Sequence, residues 1–276
     1  MKLATIRDGE RTVAVRVEGD HAVELPAADV REVLDHDLWH DWAAGVDGPR
    51  RPLARLDYAP LVPSPDKIVC VGLNYRSHIL ETGREIPAHP TLFAKFRSAL
   101  VGANDPIVVP FATEQVDWEA ELAVVVGRRI RNANEREALD AVFGYTAAND
   151  VSARDLQFAD QQWVRGKSLD TFCPVGPVIV TPDEFGDPQD KRLISRVNGE
   201  TMQDSTSAEM IFGVGEILSF LSRACTLEPG DLILTGTPWG VGGFRDPPVF
   251  LKPGDTVEIE VEGIGVLANN VGGSTT

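Results

Sequence analysis

Positive charge is in short supply in this chain of 276 residues, where 26 Lys and Arg stand against 42 Asp and Glu for a formal net charge of -16. That sign disfavours nucleic acid and anionic membrane as partners, so an anionic small molecule must be drawn in by local cations, either a bound metal or a few placed Arg and Lys side chains. Cysteine is equally sparse. Cys70, Cys173 and Cys225 are odd in number, far apart and without a Cys-x-x-Cys pair, which offers no disulfide framework and fits a reducing, cytoplasmic setting. No apolar run approaches the ~18 residues needed to cross a bilayer, and no basic stretch followed by an apolar one opens the chain. The glycine motifs are incomplete as well. Gly213-x-Gly215 lacks the third glycine and the preceding strand of a dinucleotide site, and Gly236 to Gly243 lacks the Gly-Lys-Ser/Thr of a phosphate loop.

What remains is a composition ordinary for a folded soluble protein, 43% hydrophobic and 25% charged, with disorder expected only in short pieces such as Gly272 to Thr276. Lys2 to Ile6, Thr12 to Glu18 and Ala22 to Leu25 alternate as short strands, and Val30 to Ala44 carries the pattern of an amphipathic helix. Pro60, Pro63 and Pro65 forbid regular structure beyond them, which divides the chain into a small N-terminal α/β appendage, 1–63, and a main domain, 64–276. The main domain alternates many strands with helices over about Ala133–Phe143 and Ser207–Arg223, and Asn198-Gly199 signals a hairpin. No internal repeat is present. The class is α+β and β-rich, a mixed roll or sandwich with helices packed outside.

The stretch Asp117-Trp-Glu-Ala-Glu-Leu-Ala-Val-Val-Val-Gly127 has two unlike faces at period two. Trp118, Ala120, Leu122, Val124 and Val126 form one, and Asp117, Glu119 and Glu121 the other. Glu119 and Glu121 would stand roughly 6.5 to 7 Å apart at Cα, close enough for their oxygens to converge on one hard cation. A half-buried strand showing acids to water has the same pattern, so the metal requires a third oxygen. Asp150, after the small-residue strand from Gly144, could be that ligand or a helix cap. His78 and Glu81 lie at i, i+3 on a short helix closed by Gly83 and share a face, as a general base and its orienting carboxylate would, or a surface ion pair. Arg84 to Pro90 could move as a lid. The loop after Leu232–Leu234 can offer backbone N–H groups, that of Gly236 included, and the Thr237 hydroxyl to a carboxylate. His36 and His40 share a face of the N-terminal helix at i, i+4, but Asp37 stands where a zinc-hydrolase helix needs Glu and no further ligand is evident.

Taken together, Gly72-Leu-Asn-Tyr75 with His78 and Glu81, Asp117-Trp-Glu-Ala-Glu-Leu122, Asn149-Asp-Val-Ser-Ala-Arg-Asp155, Gly166-Lys-Ser-Leu-Asp-Thr-Phe172 and Thr235-Gly-Thr-Pro238 resemble the fumarylacetoacetate hydrolase family over Lys67 to Asn270. The resemblance implies a mixed β-roll, a homodimer, and one Mg²⁺ or Mn²⁺ held by Glu119, Glu121 and Asp150. It implies that Lys167 and Gln157 hold substrate oxygens with Arg154 and Thr237 nearby, and that His78 with Glu81 activates water. The implied reaction is hydrolysis of a C–C bond in a 2,4-dioxo acid, an acylpyruvate or diketo sugar acid, with release of pyruvate. Leu73 stands where acylpyruvase-like members have Arg, which brings forward the alternatives of a 2-hydroxyhepta-2,4-diene-1,7-dioate isomerase or an oxaloacetate decarboxylase or tautomerase. A metal-dependent carboxylate-binding protein is the alternative without turnover, and the His78–Glu81 pair argues against it because binding alone needs no base.

Overall fold

The computed structural model describes residues 1–274. Its backbone is a mixed eleven-stranded sheet and a five-stranded sheet, with short helices around them. Across the large sheet the path runs Arg50–Pro52, His21–Glu24, Arg11–Glu18, Lys2–Asp8, Cys173–Val180, Val142–Asn149, Ala120–Val126, Leu232–Leu234, Ile68–Gly72 and Thr91–Ala94, with Leu100–Val101 pairing Cys173–Val180 off this path. The smaller sheet, Glu200–Thr206, Arg192–Val197, Thr256–Val261, Gly265–Gly273 and Ile107–Val109, packs against the middle of the larger one. This covering explains why all seven residues of Ala120–Val126 are buried. The alternation of apolar and acidic faces is present, but the acid face turns into the protein rather than toward water.

The sheet runs across the expected division at 63/64, because Lys2 and Leu3 pair with Val180 and Ile179 and carry the N-terminal strands onto the edge of the main sheet. One continuous helix over Val30–Ala44 does not form. Val30–Val33, capped by Asp29, and Trp39–Gly45 are separated by a turn in which Leu38 takes φ 52°. Asp35 and Asp37 lie within this break, and Asp competes for backbone hydrogen bonds in turns better than it sustains a helix. His36 consequently stacks on Trp42 at 3.7 Å while His40 faces Asp183 at 3.6 Å, so the two histidines do not share a site. The other expected helices shorten to Glu135–Leu139 and Val214–Ala224. Asn198 and Gly199, at φ 52° and 82°, make the expected hairpin. Of the expected disordered tail, Gly272 and Gly273 belong to a strand and the Ser274 N–H donates to the Val109 carbonyl at 3.0 Å, whereas residues 275 and 276 lie outside the described residues. No helix among the described residues is long and apolar enough to cross a membrane.

Candidate active site

The two expected strand acids meet Asp150 because of how their strands pair. Ala120 sits opposite Asn149, the last residue of Val142–Asn149, so the next residue along that chain, Asp150, lands beside Glu119, whose carbonyl accepts the Asp150 N–H at 3.0 Å. Carboxylate oxygens of Glu119, Glu121 and Asp150 all lie within 4.8 Å of one another, and all three residues are buried. Three carboxylates cannot remain charged at that spacing without compensation.

Part of the compensation is in the chain. Lys167, on the short helix Val164–Lys167, donates to Glu119 Oε2 at 2.8 Å and Asp150 Oδ2 at 2.9 Å. Arg154, at the start of helix Arg154–Ala159, bridges Asp117 and Glu119 at 2.7 Å each and donates to Gln157 Oε1 at 2.9 Å. Lys95 donates to Asp150 Oδ1 at 2.5 Å and to the Val151 carbonyl at 3.1 Å. Burial alone would raise the Glu119 carboxyl, but Lys167 and Arg154 outweigh it and hold its pKa at about 2. The ammonium of Lys167 is pulled down by burial and raised more strongly by Asp150 and Glu119, so it stays a cation rather than a base.

Glu121 is the exception. Its partner is the Gly236 N–H at 2.6 Å, and burial, Asp150 and Glu119 together push its pKa well above the ordinary value. Counting Asp117, the cluster has four carboxylates against Lys95, Lys167 and Arg154, and the unmatched negative charge falls on Glu121. A divalent cation fits this deficit and this all-oxygen donor set, which suits Mg²⁺ or Mn²⁺ better than a softer metal.

His78 lies on Arg76–Thr82, closed by Gly83 in the left-handed conformation as expected. Its Nδ1 is 2.7 Å from Glu81 Oε1, and Glu81 Oε2 in turn accepts the Gly240 N–H at 3.0 Å. With Nδ1–H given to Glu81, Nε2 is left as the acceptor. Phe244 lies edge-on to the imidazole at 5.9 Å. His78, Glu119, Glu121, Arg154, Gln157, Lys167 and Thr237 line one cavity.

The glycine-rich loop performs a different task from the one expected. Its N–H groups serve the protein's own acids: Gly236 donates to Glu121, Gly240 to Glu81, and Gly242 and Gly243 to Asp117. Gly236 therefore has no N–H to offer a substrate, and the loop organises carboxylates rather than cradling one. Only Thr237 faces the cavity. Its hydroxyl oxygen accepts from Gln203 at 2.9 Å, which leaves the hydroxyl proton free for a ligand. Arg154 Nη2 is likewise buried without a partner among the described residues.

Lys95 and Gln203 are the participants that sequence reasoning missed, while Asp117, read only as the third acid of its strand face, proves to anchor Arg154. Lys95 had a signal: it continues the alternation of Thr91–Ala94 in phase with inward Phe93, so a strand-end lysine points into the core and must find an acid. Gln203, which also accepts from Ala120 N at 2.9 Å, lies on the other sheet and had none.

A buried acid triad, balanced by buried cations and faced by a His–Glu dyad across one cavity, fits metal-assisted chemistry on a small anionic molecule. The family comparison agrees. The profile described as fumarylacetoacetate (FAA) hydrolase C-terminal matches residues 67–272, and the chain belongs to the fumarylacetoacetate hydrolase family. The bovine (Bos taurus) protein named oxaloacetate tautomerase FAHD2A, mitochondrial, is 48% identical over 225 residues, 81% of this chain and 72% of its own length. Among solved structures, fumarylacetoacetate hydrolase from Exiguobacterium antarcticum is 40% identical with a TM-score of 0.86, covering 99% of this chain and all of its own. The 2-hydroxyhepta-2,4-diene-1,7-dioate isomerase from Mycobacterium marinum is 39% identical with a TM-score of 0.81 and full coverage of both chains.

Proposed function

We propose that this protein interconverts the keto and enol forms of oxaloacetate, or of a closely similar 2-oxo dicarboxylate, with a divalent metal at Glu119, Glu121 and Asp150. The observation that carries this reading is the 48% identity, over 81% of the chain, to a protein named oxaloacetate tautomerase. The geometry supports it through the reaction's small demands: a proton leaves C3, a proton arrives at the 2-oxo oxygen, and no water is consumed. His78 takes the C3 proton at Nε2 while Glu81 holds Nδ1–H, fixing the tautomer that can accept it. Arg154, whose Nη2 has no partner among the described residues, Thr237 with its hydroxyl proton and the cationic Lys167 line the cavity and would stabilise the oxygen on which negative charge develops. A divalent cation held by Glu119, Glu121 and Asp150 would supply Lewis-acid polarisation of the 2-oxo group and so make the C3 proton more acidic.

The C–C hydrolysis expected from sequence is the second reading, supported by the Exiguobacterium structure's name. It uses the same acids and adds an attacking water. The dienedioate isomerisation for which the Mycobacterium marinum structure is named is again a proton shift, so it shares the chemistry of the first reading. The deciding experiment follows enol absorbance as freshly dissolved enol-oxaloacetate ketonises with protein and Mg²⁺ or Mn²⁺. Rapid, EDTA-sensitive decay is expected; acylpyruvate cleavage far faster than ketonisation would return the assignment to hydrolysis.

The exposed rings of Phe96 and Phe111 support the expected homodimer, which sedimentation in solution would test. Cys70, Cys173 and Cys225 are unpaired, and burial pushes the Cys173 thiol up to about 12. A reducing compartment suits them, and the bovine relative's name makes a mitochondrial location as compatible as a cytoplasmic one.

A further inference from the structure

Three cations line the cavity, and two are spoken for. Arg154 and Lys167 are tied to Asp117, Glu119 and Asp150. Arg84 lines the same cavity, is exposed, and has no acidic partner among the described residues. It is nevertheless placed, with its guanidinium carbon 5.9 Å from the centre of the Trp163 ring. The indole is itself fixed: Phe93 meets it edge-on at 5.4 Å, and it lies so close to Gly72 that a Cβ there would be 2.4 Å from Trp163 Cζ3. No residue larger than glycine fits beneath that ring. A guanidinium over an aromatic face keeps its N–H donors at its edge, in the plane where a carboxylate can accept two of them. Around it the wall is apolar, formed by Leu73, Phe93, Phe158 and Phe244.

We infer that Arg84, seated on Trp163, recognises the distal carboxylate of the substrate and selects dicarboxylates over 2-oxo acids with a neutral tail. The inference rests on the proposed function in that the other end of the substrate is taken to sit at the buried acids. At the floor the charges of Arg154 and Lys167 are already neutralised by those acids, whereas Arg84 offers toward the mouth a cation with no acidic partner among the described residues. An oxaloacetate and a dienedioate both satisfy it; an acylpyruvate with an alkyl tail does not.

Binding tests this without turnover. Malate and 2-hydroxybutyrate both present a carboxylate and an adjacent hydroxyl, and differ in whether the far end is a carboxylate or a methyl group. Calorimetry on the Mn²⁺-loaded protein should show malate binding weakened about 10- to 100-fold in Arg84→Gln, the loss of a charged hydrogen bond, with 2-hydroxybutyrate unchanged. Arg84→Lys, which keeps the charge and loses the fork, should fall between. Equal weakening of both ligands, or no change in either, overturns the inference. If malate selectivity vanishes as expected but oxaloacetate is not ketonised by the unaltered protein, the recognition stands and the reaction assignment falls.

Discussion

At the floor of the cavity Glu119, Glu121, Asp150, Lys95, Lys167 and Arg154 are all buried and locked to one another through charge-assisted contacts of 2.5 to 2.9 Å, or, for Glu121, to a backbone N–H. At the mouth, His78 and Glu81 are joined to each other and to Gly240, and Arg84 to Pro90 carries no helix or strand and is mostly exposed. A divalent cation demands several oxygens at fixed spacing, which only paired strands in a dry interior can supply at this charge density. A recognising cation must instead meet a molecule that enters and leaves, so Arg84 sits exposed where few contacts hold it, while the base His78 is buried against Glu81 and Phe244. The floor should thus govern metal binding and the mouth turnover and choice of substrate, with little crossing between them.

The largest break in that division comes from Glu119→Gln. It replaces one of the three carboxylates proposed to hold the metal by a neutral amide and discharges the shared partner of Arg154 and Lys167. Metal-dependent activity should fall by about 10³-fold or more, since a cation acting on the substrate oxygens supplies several kcal/mol. Calorimetry should find Mn²⁺ affinity lost, and unchanged affinity would remove Glu119 from the metal site.

His78→Ala sharpens the comparison from the other side. Loss of a general base should lower kcat by ~10² to 10⁴. Mn²⁺ affinity should stay as it was, because the imidazole's hydrogen-bond partner is Glu81 and not an acid of the triad. A parallel loss of metal binding would show that mouth and floor are one unit.

How far the sequence disclosed this division depends on which physical rule placed each residue. Period two put Glu119 and Glu121 on one side of a strand, and i, i+3 spacing put His78 beside Glu81; both are local and both hold in the structure. Asp150 was ambiguous between cap and ligand until strand pairing set it beside Glu119. The β-rich α+β class followed from counting alternating runs, but the second sheet's cover over Ala120–Val126 is a tertiary fact, so a strand with one acid face was open to being read as half-exposed. The break at Leu38 escaped because helical periodicity continues through it. The loop from Gly236 to Gly243 has the composition of an anion cradle, and only the fold shows that Glu81, Asp117 and Glu121 reach it first.

The smallest expected effect, a difference between two Mn²⁺-induced shifts in melting temperature, tests whether the floor is balanced as a single charge system. Lys95→Met keeps the length of the side chain and deletes the cation that Asp150 Oδ1 relies on, in a position with no exposed side-chain surface. Breaking a buried pair leaves an uncompensated charge, which costs ~3 to 5 kcal/mol, so the metal-free variant should melt well below the unaltered protein. Lys167 still holds Asp150 Oδ2, and Glu121, already without a cation, now shares a deficit of two charges rather than one. A divalent cation removes that deficit. Adding Mn²⁺ should therefore raise the melting temperature of Lys95→Met by more than it raises that of the unaltered protein, recovering much of the loss. Melts in EDTA and in Mn²⁺ measure both quantities. An equal Mn²⁺ shift in the two proteins would mean that Lys95 only packs beside Asp150, and that the charge balance of the floor is set by Lys167 and Arg154 without it.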